Sequence, residues 1–77
     1  MSKAREVVDF LGGDGNIVDL EPCITRLRVQ VNDPTQVDEL GLKAAGAHGV
    51  VVSGRVVQVV VGPEAEKLAA DIAATRS

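Results

Sequence analysis

The order of apolar patterns in these 77 residues predicts an α+β fold. It is a two-layer sandwich, a four-stranded antiparallel sheet with three helices on one face, in the order αββαββα. Three observations carry the prediction. Past Thr25, a strict polar/apolar alternation runs from Arg26 to Val31. Two β-branched runs, Val50 to Val52 and Val56 to Val61, stand one short turn apart. Three other segments repeat apolar residues at helical spacing.

Residues 3–11 form the first of these. Ala4, Val7, Val8 and Leu11 make one apolar stripe, with Lys3, Arg5, Glu6 and Asp9 largely off it. Gly12-Gly13 ends the helix, because glycine tolerates a left-handed cap. Asp14-Gly15-Asn16 continues as a turn, which Asn16 serves. Asn16 to Leu20 reads as a short strand whose facing is ambiguous, since Ile17, Val18 and Leu20 do not alternate. Glu21-Pro22-Cys23-Ile24 is expected to be a loop, because Pro22 lacks the N–H that a central strand needs.

From Thr25 the facing is clear. Leu27, Val29 and Val31 point to one side, Arg26, Arg28 and Gln30 to the other. This strand is expected to pair with the one before it as a hairpin. Asn32-Asp33-Pro34-Thr35-Gln36 then starts a helix, with Asp33 as N-cap and Pro34 in the first turn. Its stripe is Val37, Leu40 and Ala44; Gly41 weakens it and marks a place for a bend or split. The segment Ala45 to Gly49 ends it. The two valine runs form a hairpin across Ser53-Gly54-Arg55, and the unbroken Val59-Val60-Val61 suits an interior strand. Gly62-Pro63-Glu64 opens the last helix, with stripe Ala65, Leu68, Ala69 and Ile72; Thr75-Arg76-Ser77 is expected to fray. No repeat or linker interrupts the chain, so residues 1–77 read as one domain.

The composition is 45% apolar and 25% charged, with net charge −3. An acidic chain does not suit general nucleic-acid binding, which neutralises phosphates with a basic surface. Phe10 is the single aromatic residue, so base-stacking platforms are missing too. One cysteine makes no internal disulfide, and one cysteine with one histidine makes a poor metal site; no metal and no cofactor is expected. No apolar run approaches the roughly 20 residues that span a bilayer, and no signal-peptide core follows Met1. A cytoplasmic location is expected.

The candidate chemistry lies in Glu21-Pro22-Cys23-Ile24-Thr25-Arg26-Leu27-Arg28. A lone cysteine is more often a small buried hydrophobe than a nucleophile, and two arginines on a strand are often only a solvated face. The combination shifts that balance. Cys23 lies between predicted strands, where burial is unfavourable. Nearby cations favour a thiolate over a thiol. Guanidinium also presents a planar fork of donors that matches phosphate oxygens. Arg26 and Arg28 thus suit both activation of the sulfur and retention of a phosphoryl group on it. The backbone N–H groups of Ile24 and Thr25 and the Thr25 hydroxyl complete a candidate phosphate cradle. The Cys-x5-Arg loop of cysteine phosphatases fails here, because its arginine position is Val29. No general acid for a leaving group is evident either. The chain looks suited to accepting and passing on a phosphoryl group rather than hydrolysing one. His48 reads as a surface histidine without a role, and Gln58 either lines the loop or faces water.

Gly12-Gly13-x-x-Asn16-Ile17, Cys23-Ile24-Thr25-Arg26-Leu27-Arg28, Asp33-Pro34, Gly46-x-x-Gly49-Val50 and Gln58-Val59-Val60-Val61-Gly62 together resemble enzyme IIB of the bacterial sugar phosphotransferase system, glucose/sucrose branch. The resemblance runs from residue 3 to about residue 73, and the Cys-Ile-Thr-Arg-Leu-Arg block is its specific part. Glu21-Pro22 departs from it, since the family often has an acidic and then a small residue there. The resemblance implies that Cys23 takes a phosphoryl group from a phosphohistidine of enzyme IIA. It then gives the group to a sugar, of glucose or N-acetylglucosamine type, in the membrane permease IIC. Arg26 and Arg28 match a pair associated in the family with transfer to sugar. The chain itself is expected to be a monomer that meets the inner face of the membrane through IIC. A non-catalytic regulatory module and a ferredoxin-like RNA- or ligand-binding domain are the alternatives. Met1 and the short tail favour a freestanding protein over a domain of a fusion.

Overall fold

A computed structural model describes residues 3–76. The elements are α1 (Lys3–Phe10), β1 (Ile17–Cys23), β2 (Arg26–Val31), α2 (Glu39–Ala44), β3 (Gly49–Ser53), β4 (Val56–Val60) and α3 (Ala65–Arg76), with short 3₁₀ turns before β1, α2 and α3. The strands form one antiparallel sheet in the order β1-β2-β4-β3, so β2 and β4 are interior and β1 and β3 are edges. The αββαββα order is the one the apolar patterns predict.

The alternation in β2 sorts its two faces. Leu27, Val29 and Val31 are fully buried, and Arg26, Arg28 and Gln30 are exposed. Val57 and Val59 of β4 join the buried side, with Leu11, Leu42 and Ile72 from the helical layer. Burying each such side chain contributes about 1.5–3 kcal/mol relative to leaving it in water. The opposite face, bearing the arginines, is open.

Most local signals act as expected. Gly12 and Gly13 take φ of 102° and 90°. Gly12 N–H donates to Asp9 C=O (3.1 Å) and Gly13 N–H to Val8 C=O (2.9 Å), the paired bonds of a Schellman cap. Ala65, Leu68, Ala69 and Ile72 are buried along α3.

Several expectations need correction. The strand expected over 16–20 runs from Ile17 to Cys23, so Glu21, Pro22 and Cys23 belong to it rather than to a loop. Pro22 is tolerated because β1 is an edge, where a missing N–H need not break an interior ladder. The ambiguous facing has a cause: the β1–β2 register shifts between Ile17 and Asp19, which leaves Val18 as an exposed extra residue. Asn16 does more than serve a turn. It is buried, and its side chain joins Leu11 and Asp33.

The middle helix splits. Asp33 caps only a 3₁₀ turn, Pro34–Gln36, accepting from Thr35 N–H at 2.9 Å. The Thr35 hydroxyl and amide hold the Asp33 carboxyl below the usual carboxylate range. Val37 and Asp38 are extended, and Asp38 recaps α2 through Gly41 N–H at 2.8 Å. The phase of the stripe changes with the break: Leu42 is fully buried, whereas Leu40 is 79% exposed and Ala44 is exposed. Gly41 is not where the chain divides. A Cβ there would sit 2.3 Å from the Phe10 ring, so the glycine admits that ring.

The last turn does not fray through Arg76. Thr75 Oγ1 donates to Ile72 C=O, and Arg76 reaches both Asp14 and Ile17 C=O. Ser77 lies outside the described residues.

Candidate functional site around Cys23

Cys23 ends β1 and Arg26 begins β2, paired across a two-residue turn, Ile24-Thr25. Turns this tight favour glycine or asparagine at positive φ. Here Ile24 takes φ of 50°, the one described non-glycine residue with positive φ. A β-branched residue in that region carries strain of about 1–3 kcal/mol. The residue is 87% exposed, so packing does not offset the strain.

The connection from β4 to α3 does the holding. Thr25 C=O accepts from both Val61 N–H (3.0 Å) and Gly62 N–H (2.8 Å). Gly62, at φ of 79°, makes the bend that brings both donors to one oxygen. The turn is therefore fixed from below while its tip faces solvent.

Cross-strand pairing places the polar side chains in two adjacent rows on the open face. The first row is Cys23, Arg26 and Val60; the second is Glu21, Arg28 and Gln58. Cys23 is exposed and free. Together with Ile24, Thr25, Arg26 and Gln58 it lines a shallow open depression. Arg26 Nη1 donates to Gln58 Oε1 at 2.7 Å, which aims the guanidinium along the face. Arg28 Nη1 lies 3.4 Å from Glu21 Oε1, with both side chains about half exposed. Arg28 lines a neighbouring depression with Asp19, Glu21, Gln30 and Val56.

The structure thus joins Cys23, Ile24, Thr25 and Arg26 in one depression and sets Arg28 one row away, engaged by Glu21. His48 is exposed beyond Val60, to whose C=O its own N–H donates. It is not among the residues lining the Cys23 depression. Gln58 is more than a water-facing residue, since it positions Arg26. Glu21 and the Val61-Gly62 amides are additions that the sequence did not single out for these roles. Among the described residues, no group of three or more His, Cys, Asp or Glu side chains is arranged to hold a metal ion.

Chemically, the depression offers an accessible sulfur, a fixed guanidinium and a rigid exposed turn. It has little enclosure and lies open to solvent.

The chain is similar to known proteins in sequence and in fold. The family model described as phosphotransferase system, EIIB matches residues 5–38, which include the Cys23 turn. The PTS system N-acetylglucosamine-specific EIIB component of Streptomyces coelicolor is 58% identical over 71 residues, 92% of this chain and 92% of that one. A crystal structure of one domain of the PTS system, IIabc component from Clostridium difficile superposes with a TM-score of 0.80 at 23% identity, covering 95% of this chain and 77% of that chain. That last likeness speaks to the fold alone. Identity well above half across nearly the full length of both chains speaks to descent, and the chain belongs to the EIIB family of the sugar phosphotransferase system.

Proposed function

We propose that Cys23 is a phosphoryl carrier between enzyme IIA and a sugar held by the permease IIC. The carrying observation is the exposed sulfur at the head of a buttressed turn, paired across the hairpin with Arg26. In the first step the Cys23 thiolate attacks the phosphorus of a phosphohistidine on IIA. An S–P bond forms, the P–N bond breaks, and the histidine nitrogen leaves with the electron pair. In the second step a sugar hydroxyl attacks the same phosphorus, an O–P bond forms and the S–P bond breaks. The proton lost by the hydroxyl balances the return of the thiolate to a thiol. Phosphoryl transfer asks a protein mainly for positioning and charge stabilisation.

Arg26 supplies charge beside the sulfur, held by Gln58. Arg28 supplies a second guanidinium one row away, released from Glu21 as the phosphoryl oxygens compete for it. The turn residues Ile24 and Thr25 present backbone donors to those oxygens. N-acetylglucosamine is the sugar this reading favours, because the Streptomyces coelicolor relative is named for it. Among the described residues no helix is long and apolar enough to cross a membrane. On this reading the domain works at the inner face of the membrane, through IIC.

The test is phosphorylation with phosphoenolpyruvate, the general phosphotransfer proteins and IIA, read by intact mass. Wild type gains one phosphoryl group that thiol-directed cleavage removes, and IIC membranes with N-acetylglucosamine discharge it. Cys23→Ser gains none. A Cys23→Ser protein labelled as fully as wild type rules Cys23 out as the acceptor. A wild type that stays unlabelled in a competent mixture favours a regulatory module on the same fold.

A further inference from the structure

The two edges of the sheet are built differently. β1 carries the shifted register at Val18, the proline Pro22, and the charges of Asp19 and Glu21. Each of these discourages another strand from pairing there. β3 has none of them. Its sequence, Gly49-Val50-Val51-Val52-Ser53, is uncharged and free of proline, and its register with β4 is unbroken.

Apolar exposure concentrates beside that edge. Among the described residues the exposed large hydrophobics are Val18, Ile24, Leu40, Val51 and Val52, and three of them belong to β3 or to α2 next to it. Val51 pairs with Gln58 and so lies on the open face of the sheet; Val52 pairs with Val57 and lies on the helix side. Leu40 lines a depression with Val37 and Val52, which places the start of α2 beside Val52. The end of α2 returns through residues 45–48 to Gly49, so α2 runs antiparallel to β3.

We propose that β3 pairs antiparallel with β3 of a second copy of this chain, turning two four-stranded sheets into one of eight strands. Charge chooses the second copy over another occupant. α2 has Glu39 in its first turn and Lys43 in its last, both exposed. A two-fold axis through β3 sets the two α2 helices side by side and antiparallel. The acidic start of each then meets the basic end of the other, an isologous match that the chain supplies by itself. Val51 meets Val51 of the second copy near the axis, and Leu40 and Val52 are covered on the helix side. Cys23 stays clear, because β1 lies three strand spacings, about 14 Å, from β3. This departs from the monomer expected from the sequence, and it is independent of the phosphoryl-carrier reading.

A five-residue edge with one short helix beside it is at the small end of specific interfaces, so the dimer is weak. Sedimentation velocity from about 10 µM to about 1 mM reads the equilibrium across the range such interfaces occupy. Wild type is expected to shift from monomer to dimer across that series, with slowed amide exchange in 49–53 at the high end. Val51→Lys abolishes the shift, and Lys43→Glu weakens it several-fold. Val18→Lys, on the other edge, leaves it unchanged. Circular dichroism shows that each variant is folded. A wild type that stays monomeric throughout overturns the proposal, as does a dimer that survives Val51→Lys. Protection of 49–53 that appears only when IIA or IIC is added also overturns it, in favour of a foreign strand.

Discussion

Arg26 and Arg28 are two residues apart on one strand and face the same way, yet their surroundings differ. Arg26 is tied by a 2.7 Å hydrogen bond to Gln58, a neutral partner that fixes direction without cancelling charge. Arg28 faces a carboxylate, Glu21, at 3.4 Å, with both groups about half exposed. Such an exposed pair is worth only about 0–1 kcal/mol, so it is readily exchanged for a better anion. In the proposed carrier, a phosphoryl group on Cys23 would be such an anion. Arg26→Ala is expected to slow sugar phosphorylation about 10²-fold, the scale of losing one preorganised donor. Gln58→Ala keeps the charge and loses its aim, so a smaller loss of about threefold to tenfold is expected. Both variants should melt close to wild type, because surface changes usually stay within about 0.5 kcal/mol. The check is discharge rate to sugar set against Tm. A Gln58→Ala protein with normal transfer would show that Arg26 needs no guide. The role of Gln58 was not legible in the sequence, because it depends on the β2–β4 register between residues 32 apart. Alternation within β2 says which face Arg26 is on; it says nothing of what stands beside it.

Elements were legible where one local signal dominated and failed where two competed. The β2 alternation, the valine hairpin and the α3 stripe each had a single reading, and each is present. Pro22 argued for a loop, but an edge strand removes the objection, and edge or interior is a property of the whole sheet. In the middle segment the sequence pattern points to Asp33 as the one cap, whereas the structure has a second, Asp38, five residues on. The chain uses both, with an extended Val37-Asp38 between them. Asp38 N–H donates to Phe10 C=O at 2.7 Å, and Leu42 is fully buried beneath the short helix. Phe10 then needs room, which Gly41 provides. Gly41→Ala would normally favour a helix by about 1 kcal/mol. Here the new Cβ meets the Phe10 ring at 2.3 Å, so the change is expected to destabilise by about 1–3 kcal/mol, as overpacking does. Denaturant unfolding of Gly41→Ala decides the sign. The double variant Phe10→Leu with Gly41→Ala should recover part of the loss, because it removes the ring that collides.

For the molecule as a whole, one buried polar side chain does the work of a joint. Asn16 is the single buried polar residue of the described core, 5% exposed. Its Nδ2 donates to Leu11 C=O at 2.8 Å and to Asp33 C=O at 3.0 Å, and its Oδ1 accepts from Asp33 N–H at 2.8 Å. Its own C=O accepts from Asn32 N–H at 2.9 Å. One residue therefore fastens the end of α1, the entry to β1 and the exit from β2. Asn16 looked like a turn residue in the sequence because its partners lie 5 and 17 positions away. The close fit extends to Gly12, where a Cβ would approach Asn16 Nδ2 to 2.5 Å. Asn16→Ala keeps the backbone bonds but strips partners from two carbonyls and one amide in a site that excludes much of the solvent. A buried group left unpaired costs about 1–3 kcal/mol, and these losses overlap, so a total of about 2–4 kcal/mol is expected. In a domain of this size that lowers Tm by roughly 10–25 °C. Asn16→Asp should cost as much or more at neutral pH, since it replaces a donor amide with a buried charge facing two carbonyl oxygens. Below the melting transition the folded fraction of Asn16→Ala should still accept a phosphoryl group at the wild-type rate, because the Cys23 turn is held by Val61 and Gly62 and not by Asn16. Loss of phosphorylation in protein that is demonstrably folded would mean that the joint and the site are coupled.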